Sequence, residues 1–166
     1  GQAQLVIDMG EISTDLSIVY QGAPRLVRTI PIGISSLVKS ATQNLNIKED
    51  QARQFIMKFG LAQDKLEGQV FHAIEITLEN FVQEIAKSIK FLGTKYQNVQ
   101  VGSIALSGYS GIVPQMPEYV SSKTGIQSYS ANPFQNVNVP AKYQQQVASV
   151  GNEFAVAIGL AERNNK

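Results

Sequence analysis

Short strands separated by turns are predicted for the start of the chain. An apolar run covers residues 5–8, and alternating apolar and polar positions follow over residues 15–20 and 25–32. The tetrapeptide Gln-Gly-Ala-Pro at residues 21–24 is typical of a turn. Because the connections between these strands are short, we expect an antiparallel meander of three strands.

Helical periodicity dominates the middle of the chain. Apolar residues recur at helical spacing over residues 34–45 and 48–59, and the longest helix is predicted over residues 69–92, with Gly93 as its stop. The apolar stripe of this long helix consists of Phe71, Ile74, Leu78, Phe81, Ile85, Ile89 and Leu92. Residues 46–93 are long for a single crossover, so we expect them to form a small helical subdomain.

The last third returns to alternating strands and helices. A buried strand is predicted at residues 101–106, a helix at 117–125, a short strand at 126–129, an ordered loop at 131–141 and a helix at 154–161. The larger aromatic residues are assigned to the core: Phe55, Phe59, Phe81 and Phe154. This order of elements predicts an α/β fold with one mixed five-stranded sheet covered by helices.

Composition narrows the classes of partner. The 166 residues are 43% hydrophobic and 16% charged, with a net charge of +1. The sequence contains no cysteine, which excludes disulfides and cysteine-ligated metals. It contains one histidine. The absence of a Lys/Arg cluster argues against nucleic acid. No apolar run approaches the ~20 residues that cross a bilayer, so we expect a soluble, cytoplasmic chain that does not span the membrane.

The first candidate site is the loop that follows the first strand. Gly10 permits a backbone conformation that other residues resist, and Ser13 and Thr14 offer hydroxyl groups to phosphate oxygens. Asp8, at the strand end, could hold a hydrated Mg²⁺ ion. The alternative is a plain hairpin turn with solvated carboxylates.

A second glycine loop follows the strand predicted at residues 101–106. Gly108 and Gly111 flank Tyr109 and Ser110 where the chain leaves a strand for a helix, and such a turn lets backbone approach an anionic ligand. An ordinary strand-to-helix turn is the alternative. Two such loops, far apart in the chain, together suggest a nucleotide held from two sides. We therefore expect Gly10 and Gly108 at neighbouring strand ends on one edge of the sheet.

Glu84, Lys87 and Ser88 form the third candidate group. Glu84 and Ser88 are four residues apart on the long helix, with Lys87 beside them, and all three flank the apolar stripe. They could hydrogen-bond a ribose or a purine. The alternative is solvated helix surface.

Three segments of the chain resemble motifs of the actin/Hsp70/hexokinase-like ATPase superfamily. Residues 5–15 resemble its second phosphate loop, residues 84–88 its nucleoside-contacting helix, and residues 106–111 its adenosine loop. With residues 30–33, 131–134 and 154–163, they also resemble the PilM family of type IV pilus assembly proteins, relatives of the division protein FtsA.

The resemblance implies an actin-like (ribonuclease H-like) half-fold. Residues 1–45 and 94–166 would form the core subdomain 2A, and residues 46–93 an inserted helical subdomain 2B. ATP would be contacted by Gly10, Glu11, Ser13, Thr14, Glu84, Lys87, Ser88, Gly108, Tyr109, Ser110 and Gly111. Asp8 would position Mg²⁺ through water.

The resemblance also implies what this chain needs around it. The superfamily's first half is missing here, and with it the hydrolytic residues, so no catalytic residue is assigned and the chain alone should have little or no ATPase activity. That N-terminal half would complete the ATP site and bind the inner-membrane protein PilN. The protein would then be cytoplasmic and peripheral to the inner membrane, in a type IV pilus or type II secretion-like machine.

Two departures from the family pattern keep other functions open. Tyr109 and Ser110 stand where the family usually has consecutive glycines, and Gly33 is followed by Ile34 where Gly-Gly is common. A scaffold that keeps the fold without binding nucleotide is one alternative. An FtsA-like filament protein is another, although the polar tail at residues 163–166 lacks the amphipathic membrane helix that FtsA usually carries.

Overall fold

A mixed five-stranded sheet forms the centre of the protein in a computed structural model that describes residues 1–135, 137–145, 147 and 151–162. Its strands are β1 (Gln2–Met9), β2 (Thr14–Tyr20), β3 (Ala23–Ile30), β4 (Gln100–Gly108) and β5 (Ser128–Ser130). The spatial order is β3-β2-β1-β4-β5. The first three strands are antiparallel, whereas β4 is parallel to β1 and β5 is parallel to β4. The predicted α/β architecture is confirmed.

The helices follow the predicted periodicity closely. They are α1 (Ile34–Leu45), α2 (Glu49–Phe59), α3 (Gln69–Lys95), α4 (Tyr109–Ile112), α5 (Met116–Thr124) and α6 (Ala155–Glu162). The predicted stop at Gly93 is wrong, because α3 continues to Lys95 and the Tyr96 N–H still donates to the Leu92 carbonyl. A glycine inside a helix lowers helix stability by only about 1 kcal/mol relative to alanine. A helix ends at a glycine when that glycine adopts a left-handed conformation.

Alternation along β1 decides which side chains reach the core. Leu5, Ile7 and Met9 are at most 1% exposed and point to one face of the sheet, together with Leu16 and Ile18 of β2. Asp8 therefore points to the opposite face, as successive residues of a strand do. This alternation places a carboxylate near the C-terminal end of β1, on the face opposite to the buried apolar residues.

One buried cluster joins the sheet to the helices. The α3 stripe packs into it through Ile74, Leu78, Phe81 and Ile85, each 0% exposed, and α2 contributes Ala52 and Ile56. The division into a core of residues 1–45 and 94–166 and an insertion of residues 46–93 stays a prediction.

The aromatic residue nearest the end of the described chain, Phe154, does not lie in the core. Phe154 is 50% exposed, and Val156 and Leu160 of α6 are exposed as well. The assignment of Phe154 to the core is therefore wrong, because α6, which follows it, packs against little of the described chain. The polar tail at residues 163–166 lies outside the described residues. Within the described part, no helix is both long enough and apolar enough to cross a bilayer.

Candidate functional site

The two glycine loops meet at the same end of the sheet. β1 and β4 are neighbouring parallel strands, and Met9 is paired with Gly108, so the loops that follow them emerge side by side. They border a cavity of about 290 Å³. The cavity is lined by Asp8, Met9, Gly10, Gly108, Tyr109, Asn152, Ala155 and Val156. The predicted juxtaposition of Gly10 and Gly108 is confirmed.

The first loop is held by the start of α1. The Gly10 N–H donates to the Ser13 carbonyl at 2.8 Å, and the Ile34 N–H donates to the Gly10 carbonyl at 3.0 Å. A Cβ at Gly33 would lie 2.5 Å from the Glu11 carbonyl oxygen, so only glycine fits between this loop and the helix. The loop is thus a fixed wall of the cleft.

Glycine is required in the second loop for two reasons. Gly108 has φ +59° and ψ −142°, a conformation that L side chains rarely adopt, and an added Cβ would lie 2.7 Å from Asp8 Oδ1. A Cβ at Gly111 would lie 2.7 Å from the Leu106 carbonyl oxygen. Tyr109 lies between these glycines and lines the cleft, so the departure from consecutive glycines falls at the site itself.

Asp8 is the half-buried carboxylate of the cleft. Burial raises its pKa, the neighbouring Ser107 side chain lowers it, and repulsion from Asp15 on β2 raises it further. The net shift is upward. Among the described residues, no group of three or more His, Cys, Asp or Glu side chains could hold a metal ion. A divalent cation would therefore be bound through Asp8 together with water and ligand oxygens, which is the coordination that Mg²⁺ favours.

Two predicted hydroxyl donors have partners inside the fold. Thr14 is fully buried, and its hydroxyl donates to the Ile32 carbonyl at 2.6 Å. Ser110 is also fully buried and donates to the Ser107 carbonyl at 2.7 Å. In this structure both hydroxyls stabilise the loops instead of pointing to a ligand.

Glu84, Lys87 and Ser88 are brought together, and none of the three lines the cavity between the glycine loops. Arg28 of β3 donates to the Glu84 carboxylate and, at 3.3 Å, to the Ser88 hydroxyl. Lys87 donates a hydrogen bond to the same carboxylate at 2.6 Å. Both cations lower the pKa of Glu84, and the effect of Lys87 is larger than that of Arg28. Because β3 is an edge strand, this cluster lies at the edge of the sheet opposite to β5.

Arg28 was not assigned to any site from the sequence. A signal was present, since Arg28 shares its strand face with the buried Ile30. A charged residue at an inward position of a strand needs a partner. The sequence, however, does not identify Glu84 as that partner.

Arg53 and Asn152 are two further residues that the sequence did not indicate. Arg53 of α2 forms an ion pair with Glu11, with Nη2 and Oε1 2.5 Å apart and Nη1 and Oε2 3.3 Å apart. Arg53 therefore lowers the pKa of Glu11. Asn152 lines the cleft, and its buried Oδ1 accepts no hydrogen bond from the part of the chain that the structure describes.

Comparison with known proteins places this geometry in a family. The family described as type IV pilus assembly protein PilM matches residues 1–165. A chain of the PilM-PilN type IV pilus biogenesis complex superposes with a TM-score of 0.84 at 24% identity, over 98% of this chain and 46% of that one. This chain therefore spans less than half the length of that relative.

Actin-like proteins share the fold at lower identity. MreB5 of Spiroplasma citri bound to AMPPNP has a TM-score of 0.63 at 14% identity, over 99% of this chain and 56% of that one. The ethanolamine utilization protein EutJ from Carboxydothermus hydrogenoformans has a TM-score of 0.60 at 15% identity, over 78% and 44%. The fold is thus actin-like, and by the match over residues 1–165 the chain belongs to the family of type IV pilus assembly proteins PilM.

Proposed function

We propose that this chain is the nucleotide-binding half of a type IV pilus assembly protein. ATP with Mg²⁺ would bind in the cleft between the two glycine loops, with a second half of the protein forming the opposite wall. The change in orientation between the halves would be relayed to inner-membrane proteins of the pilus machine, among them a PilN-like partner, from the cytoplasmic side. The observation that carries this proposal is the meeting of both glycine loops beside Asp8.

The dimensions of the cleft support a site with two walls. Its volume of about 290 Å³ is at the lower limit of the 300–1,000 Å³ typical of ligand pockets. The chain also spans 46% of the matched chain from the pilus biogenesis complex. A nucleotide in this cleft would therefore be only partly enclosed by the chain described here.

The donor set supports a phosphate-bearing ligand with a magnesium ion. Asp8 supplies a carboxylate for a hydrated cation, and Gly108 lets the backbone come close without a side chain in the way. When bound, Mg²⁺ would neutralise phosphate charge beside the Asp8 carboxylate.

The direct test is an NMR titration of the chain with Mg-ATP. We expect the amide signals of Gly10 and Gly108 to shift, with a dissociation constant no tighter than roughly 1 mM, or ~4 kcal/mol, because one wall is missing. Asp8→Ala should weaken binding in the presence of Mg²⁺. Asp64→Ala is the matched control, since the Asp64 side chain is 67% exposed and outside the cleft. No shift at the cleft up to ~10 mM would contradict the proposal.

A scaffold without bound nucleotide is the second candidate. The observation that favours it is that the Thr14 and Ser110 hydroxyls and the Gly10 N–H already have internal partners. The two functions differ for Asp8→Ala in the full-length protein. Nucleotide-dependent assembly predicts loss of pilus-dependent motility at normal protein level, whereas the scaffold predicts normal motility.

A further inference from the structure

The ion pair between Glu11 and Arg53 joins three elements at the rim of the cleft. Glu11 directly follows Gly10, which lines the cleft, and Arg53 lies on α2. The Tyr109 side chain, another lining residue, also hydrogen-bonds the Glu11 carboxylate. One carboxylate thus holds together the first loop, the second loop and a helix that is separated from both in sequence.

Helix α2 is positioned to keep Arg53 at this rim. Its C-terminal end is fastened to the segment after the second loop, because the Leu61 N–H donates to the Pro114 carbonyl at 3.0 Å. Gly60 allows this approach, since a Cβ there would collide with the Pro114 backbone. Arg53, two turns before Gly60, is therefore carried by an element anchored beside the cleft.

The carboxylates around the cleft would repel a phosphate group unless a positive charge lies nearby. Asp8 lines the cleft, Asp15 is paired with it on the neighbouring strand β2, and Glu11 adds a third carboxylate at the rim. A phosphate group entering this surface would meet repulsion from all three. Arg53 brings a positive charge to this rim, and its guanidinium group donates hydrogen bonds to both carboxylate oxygens of Glu11.

The pair is built so that its partners can exchange. The side chains of Arg53 and Glu11 are 31% and 48% exposed, and ion pairs with this exposure contribute little net stability. The planar guanidinium group binds carboxylate and phosphate with the same bidentate geometry. A phosphate group, with its greater charge, can therefore replace the Glu11 carboxylate at small cost.

We propose that Arg53 is a phosphate-binding residue of the cleft, held by Glu11 in the ligand-free protein and transferred to a phosphate of the bound nucleotide. This inference rests on the proposed nucleotide-binding function. It assigns to Glu11 the role of an internal substitute for the ligand's phosphate. Release of Glu11 also frees Tyr109, so ligand binding loosens the contact between the two loops.

The test compares single variants whose effects have opposite signs. Affinities for ATP, tripolyphosphate and adenosine are measured by NMR titration. We expect Arg53→Gln to weaken ATP and tripolyphosphate binding roughly fivefold, the loss of a partly exposed charge-assisted hydrogen bond. Glu11→Gln should strengthen both by about twofold to threefold, because it removes a competitor and a repulsive charge. Adenosine binding should be unchanged in both variants.

Two controls complete the design. Lys58→Gln removes one positive charge from the exposed side of the same helix and should leave all affinities unchanged. The double variant Glu11→Gln/Arg53→Gln should bind ATP as weakly as Arg53→Gln alone, since Glu11 acts through Arg53. Far-UV circular dichroism checks that each variant is folded.

The outcomes separate this inference from the proposed function. If the wild-type chain binds ATP at the cleft and Arg53→Gln binds it equally well, the inference is overturned and the proposed function stands. Weaker ATP binding by Glu11→Gln would likewise overturn it, as would a loss of adenosine affinity in Arg53→Gln. If the wild-type chain binds neither ATP nor tripolyphosphate, both are overturned.

Discussion

Replacing Gly108 by alanine tests whether the close approach of the two glycine loops is required by the fold. At φ +59° and ψ −142°, an L residue is in a region that is essentially reserved for glycine, at a cost of about 1–3 kcal/mol. The new Cβ would also overlap with the Met9 carbonyl oxygen and lie 2.7 Å from Asp8 Oδ1. Relief requires β1 and β4 to move apart, and the loss of about one backbone hydrogen bond between them costs a further ~1 kcal/mol.

The expected loss for Gly108→Ala is therefore ~3 kcal/mol in the free energy of unfolding. Gly125→Ala is the matched control, because Gly125 also has a positive φ, +71°, but an added Cβ there meets nothing within 4 Å. Its cost should be about 1 kcal/mol. Urea unfolding followed by far-UV circular dichroism measures both variants. A loss for Gly108→Ala no greater than that for Gly125→Ala would refute the argument that contact with β1 dictates glycine at this position.

Two further predictions concern the first loop. The pKa of Asp8 is raised above its ordinary value of 3.8. Protonated Asp8 therefore stabilises the folded state below pH 3.8, and this stabilisation is lost as the pH rises through the folded-state pKa. Asp8→Asn should therefore be more stable than wild type at pH 7, with the gain shrinking toward pH 3 in urea unfolding; a gain that grows toward low pH would contradict it. Thr14→Val should cost about 1–2 kcal/mol because it removes the hydrogen bond from the buried Thr14 hydroxyl to the partly buried Ile32 carbonyl, whereas Thr94→Val at an exposed helix position should stay within about 0.5 kcal/mol. Equal stabilities of these two variants would show that the Thr14 hydrogen bond contributes nothing.

The local pattern of the chain was sufficient for its elements and for the meeting of the two glycine loops. The bounds of α1, Ile34–Leu45, coincide with the predicted helix, because apolar spacing along a helix is encoded over a few residues. From the order of strands and helices, the two glycine loops were also expected at neighbouring strand ends on one edge of the sheet. Gly10 and Gly108 could thus be placed together without knowledge of any side-chain contact.

The partners of individual polar side chains depended on the tertiary structure. Thr14 and Ser110 have the residue types of phosphate ligands, but packing turned both hydroxyls toward backbone carbonyls. Glu84 meets Arg28 across 56 positions of the chain, and Arg53 meets Glu11 across 42. Such pairs form only when separate elements pack, since the periodicity of each element specifies its buried face and leaves the neighbour of a polar side chain open. The elements and the site's location were therefore readable from local sequence, whereas the charges that face the site were decided by packing between distant segments.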